Sequence, residues 1–267
     1  MQLAEAVSAV AASRSPERSR RETSLRVAHR NRSVKNMPEN FLFETAGLIS
    51  TITFNRPERR NCMNHEVMHE FEQLILRIRD DRTTRVLIVT GRGTAFSAGA
   101  DLSGAKGVTD PAERSRIFAA RNRGLPRVIG RIFDTILRLD CMTIGAVNGF
   151  AVGGGWALAV AFDFIIAAEQ AQFWVPEVEL GVPFGGTAAE VMAKRLGPWL
   201  AKEAMIMCRH YSARELFALG MVNQVVAQAE LMPAAQEFAQ RLLKLPSKAA
   251  TATKHIIDGV FAGPRLY

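Results

Sequence analysis

Asn148-Gly149-Phe150-Ala151-Val152-Gly153-Gly154-Gly155-Trp156 is the stretch on which the fold turns. Residues 143–147 before it are apolar and strand-like, residues 154–161 hold no helix breaker after Gly155, and residues 164–168 read as a further strand. The glycines therefore mark a strand-to-helix turn. Without side chains, such a turn lets a ligand approach the main chain closely. The first N–H groups of the helix have no partner within it and point outward with the positive helix end behind them, which suits a developing negative charge.

The same alternation extends outward. Phe41, Phe43 and Thr45, a turn at Gly47 and the run 48–54 read as a β-hairpin. Asn64 caps a helix whose apolar positions Val67, Met68, Phe71, Leu74, Ile75 and Ile78 follow the helical period, and residues 85–90 form a buried strand ending at Gly91. From 187 to 261 the pattern is mostly helical, broken at Gly197-Pro198, Gly220 and Pro246. Strands alternating with helices argue for an α/β layered domain, and the end of the chain for a helical accessory region.

Of 267 residues, 48% are hydrophobic and 22% charged, enough to bury a full core. The net charge of +8 is uneven: residues 1–36 hold eight Lys/Arg against three Glu, a surplus of five, which leaves +3 on the rest. A basic patch for nucleic acid is not expected on such a body. The tail is rich in Arg, Ser and Ala, as in an organellar transit peptide, while Met37-Pro38-Glu39-Asn40 has the look of a natural start. The expectation is a cytoplasmic protein, or a mitochondrial one if the tail is a transit peptide. Cys62, Cys141 and Cys208 lie far apart without metal-ligand spacing and read as reduced thiols. The uncharged run 143–162 contains Asn148 and five glycines and ends at Asp163, so no membrane span is expected.

His65-Glu66-Val67-Met68-His69 matches the H-E-x-x-H zinc pattern. Both histidines fall on the side of the helix opposite its apolar stripe, and no third ligand follows in sequence, so a solvated helix face is the better reading and no metal is expected.

Two further segments complete the case: Ala95-Phe96-Ser97-Ala98-Gly99-Ala100-Asp101-Leu102, a small-residue loop after a strand, and Phe173-Trp174-Val175-Pro176-Glu177-Val178-Glu179-Leu180-Gly181, a carboxylate beside apolar and aromatic residues. In this order and spacing the three segments resemble the enoyl-CoA hydratase/isomerase (crotonase) family, with its A-G-A-D loop, N-G-x-x-x-G-G-G helix start and P-E-x-x-L-G turn. The similarity extends to Asn55-Arg56-Pro57 with Asn61, to Asp163 and to residues 212–222, and covers roughly 41–226.

The resemblance implies an α/β crotonase-like fold, a ββα spiral core over residues 37–200 followed by a helical region over 201–267, with residues 1–36 outside the fold. It implies a homotrimer or a dimer of trimers, and an acyl-CoA thioester substrate whose coenzyme A is part of the substrate, so that no separate cofactor is needed. It assigns the N–H groups of Ala100 and Gly154 to an oxyanion hole for the thioester carbonyl and Glu177 to proton transfer. An apolar setting raises the pKa of such a carboxylate toward the range useful for proton exchange. Alone, a Pro-Glu turn is more often solvated or capping. Ala98, Asp101 and Leu102 fall in the substrate loop. Arg59 and Arg60, where relatives contact coenzyme A, suit phosphates but equally a charged surface. Trp156 is either a core or oligomer-contact residue or a wall of the acyl pocket.

Three departures from the family pattern shape the reading. Ala157 stands where hydratases commonly carry a first glutamate, and water addition needs a held, activated water as well as a proton delivered to carbon. Moving a double bond needs one proton removed and returned, which one carboxylate can do. Secondly, the turn 182–187 resembles a compact isomerase-like version. Isomerisation is thus expected, with hydration by Glu177, alone or with Glu179, as the alternative, and a non-catalytic acyl-CoA or RNA-binding relative as the reading from another class. Thirdly, family chains usually continue past the position of Tyr267 with helices that complete subunit contacts, so a short C-terminal region is expected. Long loops such as 103–124 are expected to set the acyl pocket.

Overall fold

The structure, a computed structural model, describes residues 40–101, 104 and 107–261; the N-terminal tail 1–36 lies outside them. The expected hairpin is present: β1 (Phe41–Ala46) pairs antiparallel with β2 (Ile49–Phe54), turning at Gly47. The first helix, α1 (His65–Asp81), starts where Asn64 accepts a hydrogen bond from the Val67 N–H and buries Val67, Met68, Phe71, Leu74, Ile75 and Ile78, the stripe read from the sequence. His65 and His69 lie exposed on its other side, His69 beside Glu72. Then come β3 (Val86–Gly91) and the three-residue β4 (Ala95–Ser97).

Residues 103–124, read as a long loop, instead carry α2 (Pro111–Arg121). Its polar composition gave no apolar stripe to read. Next, α3 (Leu125–Leu137) is tied to α1 through Arg131, which donates to Glu72 at 2.5 and 3.0 Å. The glycine-rich stretch runs as β5 (Met142–Val147), β6 (Phe150–Val152) and α4 (Gly154–Ala161), followed by β7 (Phe164–Ala168) and β8 (Gln172–Trp174). A long helix, α5 (Gly186–Ile206), bends at Gly197-Pro198, where Gly197 leaves helical geometry with φ 73.

The rest of the chain differs from a purely helical appendage. Between α5 and the last helices lie β9 (Tyr211–Ser212), α6 (Ala213–Ala218) and β10 (Gln224–Val226), before α7 (Leu231–Leu243) and α8 (Ser247–Phe261). Both strands join sheets begun much earlier, β9 antiparallel to β8 and β10 parallel to β7. At two and three residues they are too short to show periodicity.

Two sheets result. The larger has the order β1-β2-β3-β5-β7-β10, parallel from β2 onward; the smaller has the order β4-β6-β8-β9. The larger sheet is covered on both faces, which explains why residues 86–89 form an unbroken apolar run. Leu87 and Val89 face the main core with Phe41, Phe54, Phe71 and Phe96, while Val86 and Ile88 face a second cluster with Leu231, Ala235 and Ala239 of α7.

The last helix is fastened by a buried ion pair. Lys254 Nζ lies 2.9 Å from Asp163 Oδ2 and donates to the Cys141 carbonyl at 3.0 Å, while Asp163 also accepts from the Thr143 N–H and hydroxyl at 2.8 and 2.9 Å. Removing one partner strands a buried charge. Lys254→Met is therefore expected to lower unfolding free energy by about 3–5 kcal/mol in urea titrations, whereas Arg138→Met, at an exposed pair with Asp134, is expected to change it by less than about 1 kcal/mol.

Candidate functional site

The three motif segments become three neighbouring strands. β4, β6 and β8 run parallel and adjacent in the smaller sheet, and each delivers its candidate residue just past its C-terminal end: Ala100 after Ser97, Gly154 after Val152, Glu177 after Trp174. Carboxyl ends of parallel strands are where α/β folds gather their ligands.

Glycine brings these ends into contact. Gly99 holds φ +75, and a Cβ there would lie 2.5 Å from the Val152 carbonyl and 3.3 Å from the Gly154 nitrogen. The loop bearing Ala100 thus packs directly on the start of α4. Met63 flanks both, pairing with Ala100 as an isolated bridge and placing its sulfur 4.0 Å from where a Gly154 Cβ would stand. Ala100 and Gly154 are each partly exposed, and among the described residues neither N–H has an acceptor. Two unpaired main-chain donors on neighbouring elements are what a carbonyl oxygen gathering negative charge requires.

Glu177 completes the floor. Its carboxylate lies against the Cα of Gly153, where any Cβ would collide with Oε1 and sit 3.1 Å from Oε2. Gly153, at φ +50 and donating to the Trp174 carbonyl at 2.8 Å, leaves room for it. Oε2 is buried without a hydrogen-bond partner among the described residues, and burial pushes the carboxyl up to about 7, its own backbone opposing in part. Glu179 lies two residues on in a turn and is exposed, so it does not share this setting; Ala157 is fully buried on α4.

The remaining sequence-selected residues are placed as follows. Ala98 is half-buried and its N–H donates to the Arg60 carbonyl at 2.9 Å. Asp101 bonds its N–H to the Met63 carbonyl and its carboxylate to Arg59, at 3.1 and 3.4 Å. Arg59 is thereby tethered across the loop, and Arg60 is exposed with a left-handed backbone, φ 48. Leu102 lies outside the described residues. Trp156 is a correction: it is fully buried, with ring centroids 5.9 Å from Phe173 and 5.6 Å from Tyr211, and packs the core instead of lining a ligand wall. As the second residue after Gly154 it turns into the protein while Gly154 faces out. Sequence reading passed over Met63, Gly153 and Ser97; only the tertiary contact of the strand ends selects them.

Paired sheets of this topology, with helices over both faces of the larger one, make the crotonase-like fold. The chain belongs to the enoyl-CoA hydratase/isomerase family, whose model matches residues 44–262, and is an acyl-CoA enzyme of that kind. It is 34% identical to a crotonyl-CoA hydratase of Syntrophomonas wolfei, over 81% of this chain and 80% of the relative. Identity is 38% to a carnitinyl-CoA dehydratase of Salmonella enteritidis, over 82% and 80%. The solved structure of a monofunctional enoyl-CoA isomerase from M. smegmatis superposes with a TM-score of 0.67 at 28% identity, covering 85% of this chain and 96% of that one.

Burial of Glu177 has a measurable cost. Its carboxyl titrates near 7 in the folded chain against 4.5 when unperturbed. Between those values the folded state holds a proton the unfolded state has lost, so this group's contribution to stability falls as pH rises through the window. Above pH 7 the penalty is complete, at most about 3 kcal/mol. Glu177→Gln, neutral at every pH, is expected to unfold at higher urea than the unsubstituted protein at pH 8, with the difference closing by pH 5.

Proposed function

We propose that this enzyme moves a double bond within an enoyl-CoA thioester. The carrying observation is one carboxylate at the end of β8, Glu177, whose Oε2 is buried and whose pKa is about 7, while position 157 holds an alanine and Glu179 is turned to solvent. In this reading the thioester oxygen lies between the N–H groups of Ala100 and Gly154. Ionised Glu177 takes a proton from C2 of a 3-enoyl-CoA, and the electron pair spreads from C2 onto the carbonyl oxygen and the C3–C4 double bond. The protonated carboxyl then returns the proton to C4, leaving the conjugated 2-enoyl-CoA. Atoms balance without water, metal or redox cofactor, and coenzyme A enters and leaves as part of the substrate. Each N–H is worth about 2.7–4 kcal/mol to the enolate, and a carboxyl near pH 7 both accepts and returns the proton readily.

Around this centre, Ala98, Asp101 and Leu102 are assigned to the substrate loop, and the exposed guanidinium groups of Arg59 and Arg60 to coenzyme A phosphates. Assembly as a homotrimer or dimer of trimers would offer cover to exposed apolar side chains such as Trp199, Ile206, Met207, Phe217 and Leu219.

Hydration is the second reading, favoured by the hydratase and dehydratase names of the relatives. Glu177 would then activate water alone.

Purified protein given 3-hexenoyl-CoA is expected to produce the conjugated 2-enoyl thioester, followed by its ultraviolet absorbance. Because the base must be ionised, kcat/KM should reach a plateau above about pH 7 and fall about tenfold per pH unit below it. Glu177→Gln should lower kcat by about 10²–10⁴. Rapid addition of water to a 2-enoyl-CoA without isomerisation would establish the second reading instead, and binding without turnover would leave a non-catalytic relative.

A further inference from the structure

Gly99 needs holding. Its φ of +75 is open to glycine, which has no side chain to anchor it, yet the peptide that joins it to Ala100 carries the Ala100 N–H. A trans peptide is planar with its C=O and N–H opposed. The Gly99 carbonyl accepts from the Met63 N–H at 2.7 Å, so the Ala100 N–H points the other way, and Asp101 N–H closes the bracket on the Met63 carbonyl at 2.9 Å.

The other side of Gly99 is held by a side chain. Ser97, fully buried at the end of β4, donates its hydroxyl to the Asn61 carbonyl at 2.8 Å and accepts from the Gly99 N–H at 3.2 Å. Asn61 is fully buried as well, in a left-handed conformation with φ 54. Its amide donates to the carbonyls of Ala95 and Arg92 at 2.7 and 3.0 Å and accepts from the Arg56 N–H at 2.9 Å. Asn148, at the entry to the glycine cluster, donates to the same Ala95 carbonyl at 3.2 Å. Gly155 sits on the other side of Ser97, where an added Cβ would collide with the Ser97 carbonyl. One residue thus lies between the segment that carries Met63, the loop that carries Ala100 and the helix that begins at Gly154, its hydroxyl joining the first two and its main chain meeting the third.

We propose that Ser97 is a positioning residue for the Ala100 donor: by bridging Asn61 and Gly99 it holds the glycine from the side opposite Met63 and so sharpens the aim of that N–H at the thioester oxygen. This rests on the assignment of Ala100 and Gly154 to the thioester carbonyl. A buried apolar side chain would leave the Asn61 carbonyl and the Gly99 N–H unpaired and the glycine held by hydrogen bonds on its carbonyl side alone. Ser97 touches no reacting atom, so its loss should weaken polarisation of the carbonyl without altering the titration of Glu177.

The test compares the unsubstituted protein with Ser97→Ala and Ser97→Cys, using 2-butenoyl-CoA labelled with carbon-13 at the thioester carbonyl. Infrared difference spectra read the carbonyl stretch of the bound thioester, alongside kcat, KM and the pH midpoint of turnover. In the unsubstituted protein the stretch should move to lower frequency on binding. Ser97→Ala should lose part of that displacement and about tenfold in kcat, as expected when one donor is misdirected and not removed, with KM within about twofold and the pH midpoint unmoved. Ser97→Cys, with a weaker donor, should fall between the two, and carries the comparison alone should the alanine variant not fold. A full displacement in the substituted proteins, whether or not kcat falls, overturns the role of Ser97. No displacement in the unsubstituted protein overturns the assignment of Ala100 and Gly154 itself.

Discussion

The Cα of Gly99 rests against the carbonyl of Val152, and the carboxylate of Glu177 rests on the Cα of Gly153. At neither contact is there room for a side chain, and both occur where parallel strands of the small sheet end side by side. Had either glycine carried a Cβ, the loop bearing Ala100 would lift off α4 or the carboxylate would be displaced from the two free N–H groups. The rest of the architecture serves this approach: the six-stranded sheet provides a stiff wall, α1 and α3 brace it, and β9 returns from the C-terminal region to complete the small sheet beside β8. A packed interior transmits strain, so contacts this close are maintained only where surrounding elements over-determine them.

A carboxylate seated there loses most of its water and gains little in exchange. Burial raises the pKa of Glu177 to about 7, and among the described residues Oε2 finds no hydrogen-bond partner. Stability is given up at one residue for a group that changes protonation state readily near neutral pH. The loss is borne by two independent apolar clusters on opposite faces of the large sheet, neither of which includes Glu177. Lys254 and Asp163 show the contrasting case, in which a buried charge finds a counter-charge and additional donors and so acts structurally.

Much of this was legible in the sequence because it followed from local chemistry. The apolar stripe of α1 and its Asn64 cap, the run 86–89, the break at Gly197-Pro198 and the strand-to-helix turn at the glycine cluster each express periodicity or backbone freedom within a short window. The small sheet was not legible, since strands of two and three residues hold no period to detect, and α2 lacks an apolar stripe. Trp156 illustrates the limit from the other side. Its place beside Gly154 kept a ligand wall open beside a core or oligomer-contact position, and only the direction in which the first turn of α4 faces separates them. The candidate centre was reached through recurrence of three motifs, whereas the residues that aim it, Met63, Ser97 and Gly153, emerge only from contacts between segments far apart in the chain.

The division between main-chain and side-chain duties explains why one fold accommodates hydratases, dehydratases and isomerases among the relatives. The two N–H groups are products of backbone geometry, and substitution of neighbouring side chains leaves them in place as long as the glycines and the loop hydrogen bonds survive. Carboxylates are different, because they are added or removed one residue at a time on a frame that does not depend on them. At position 157 the residue is an alanine, fully buried in the core. A carboxylate there would offer a second site for a proton or a water, and so a means to divide water addition between two groups. On the proposed reading, the chemistry of this chain is set by how much one desolvated carboxyl accomplishes beside an enolate held by the backbone.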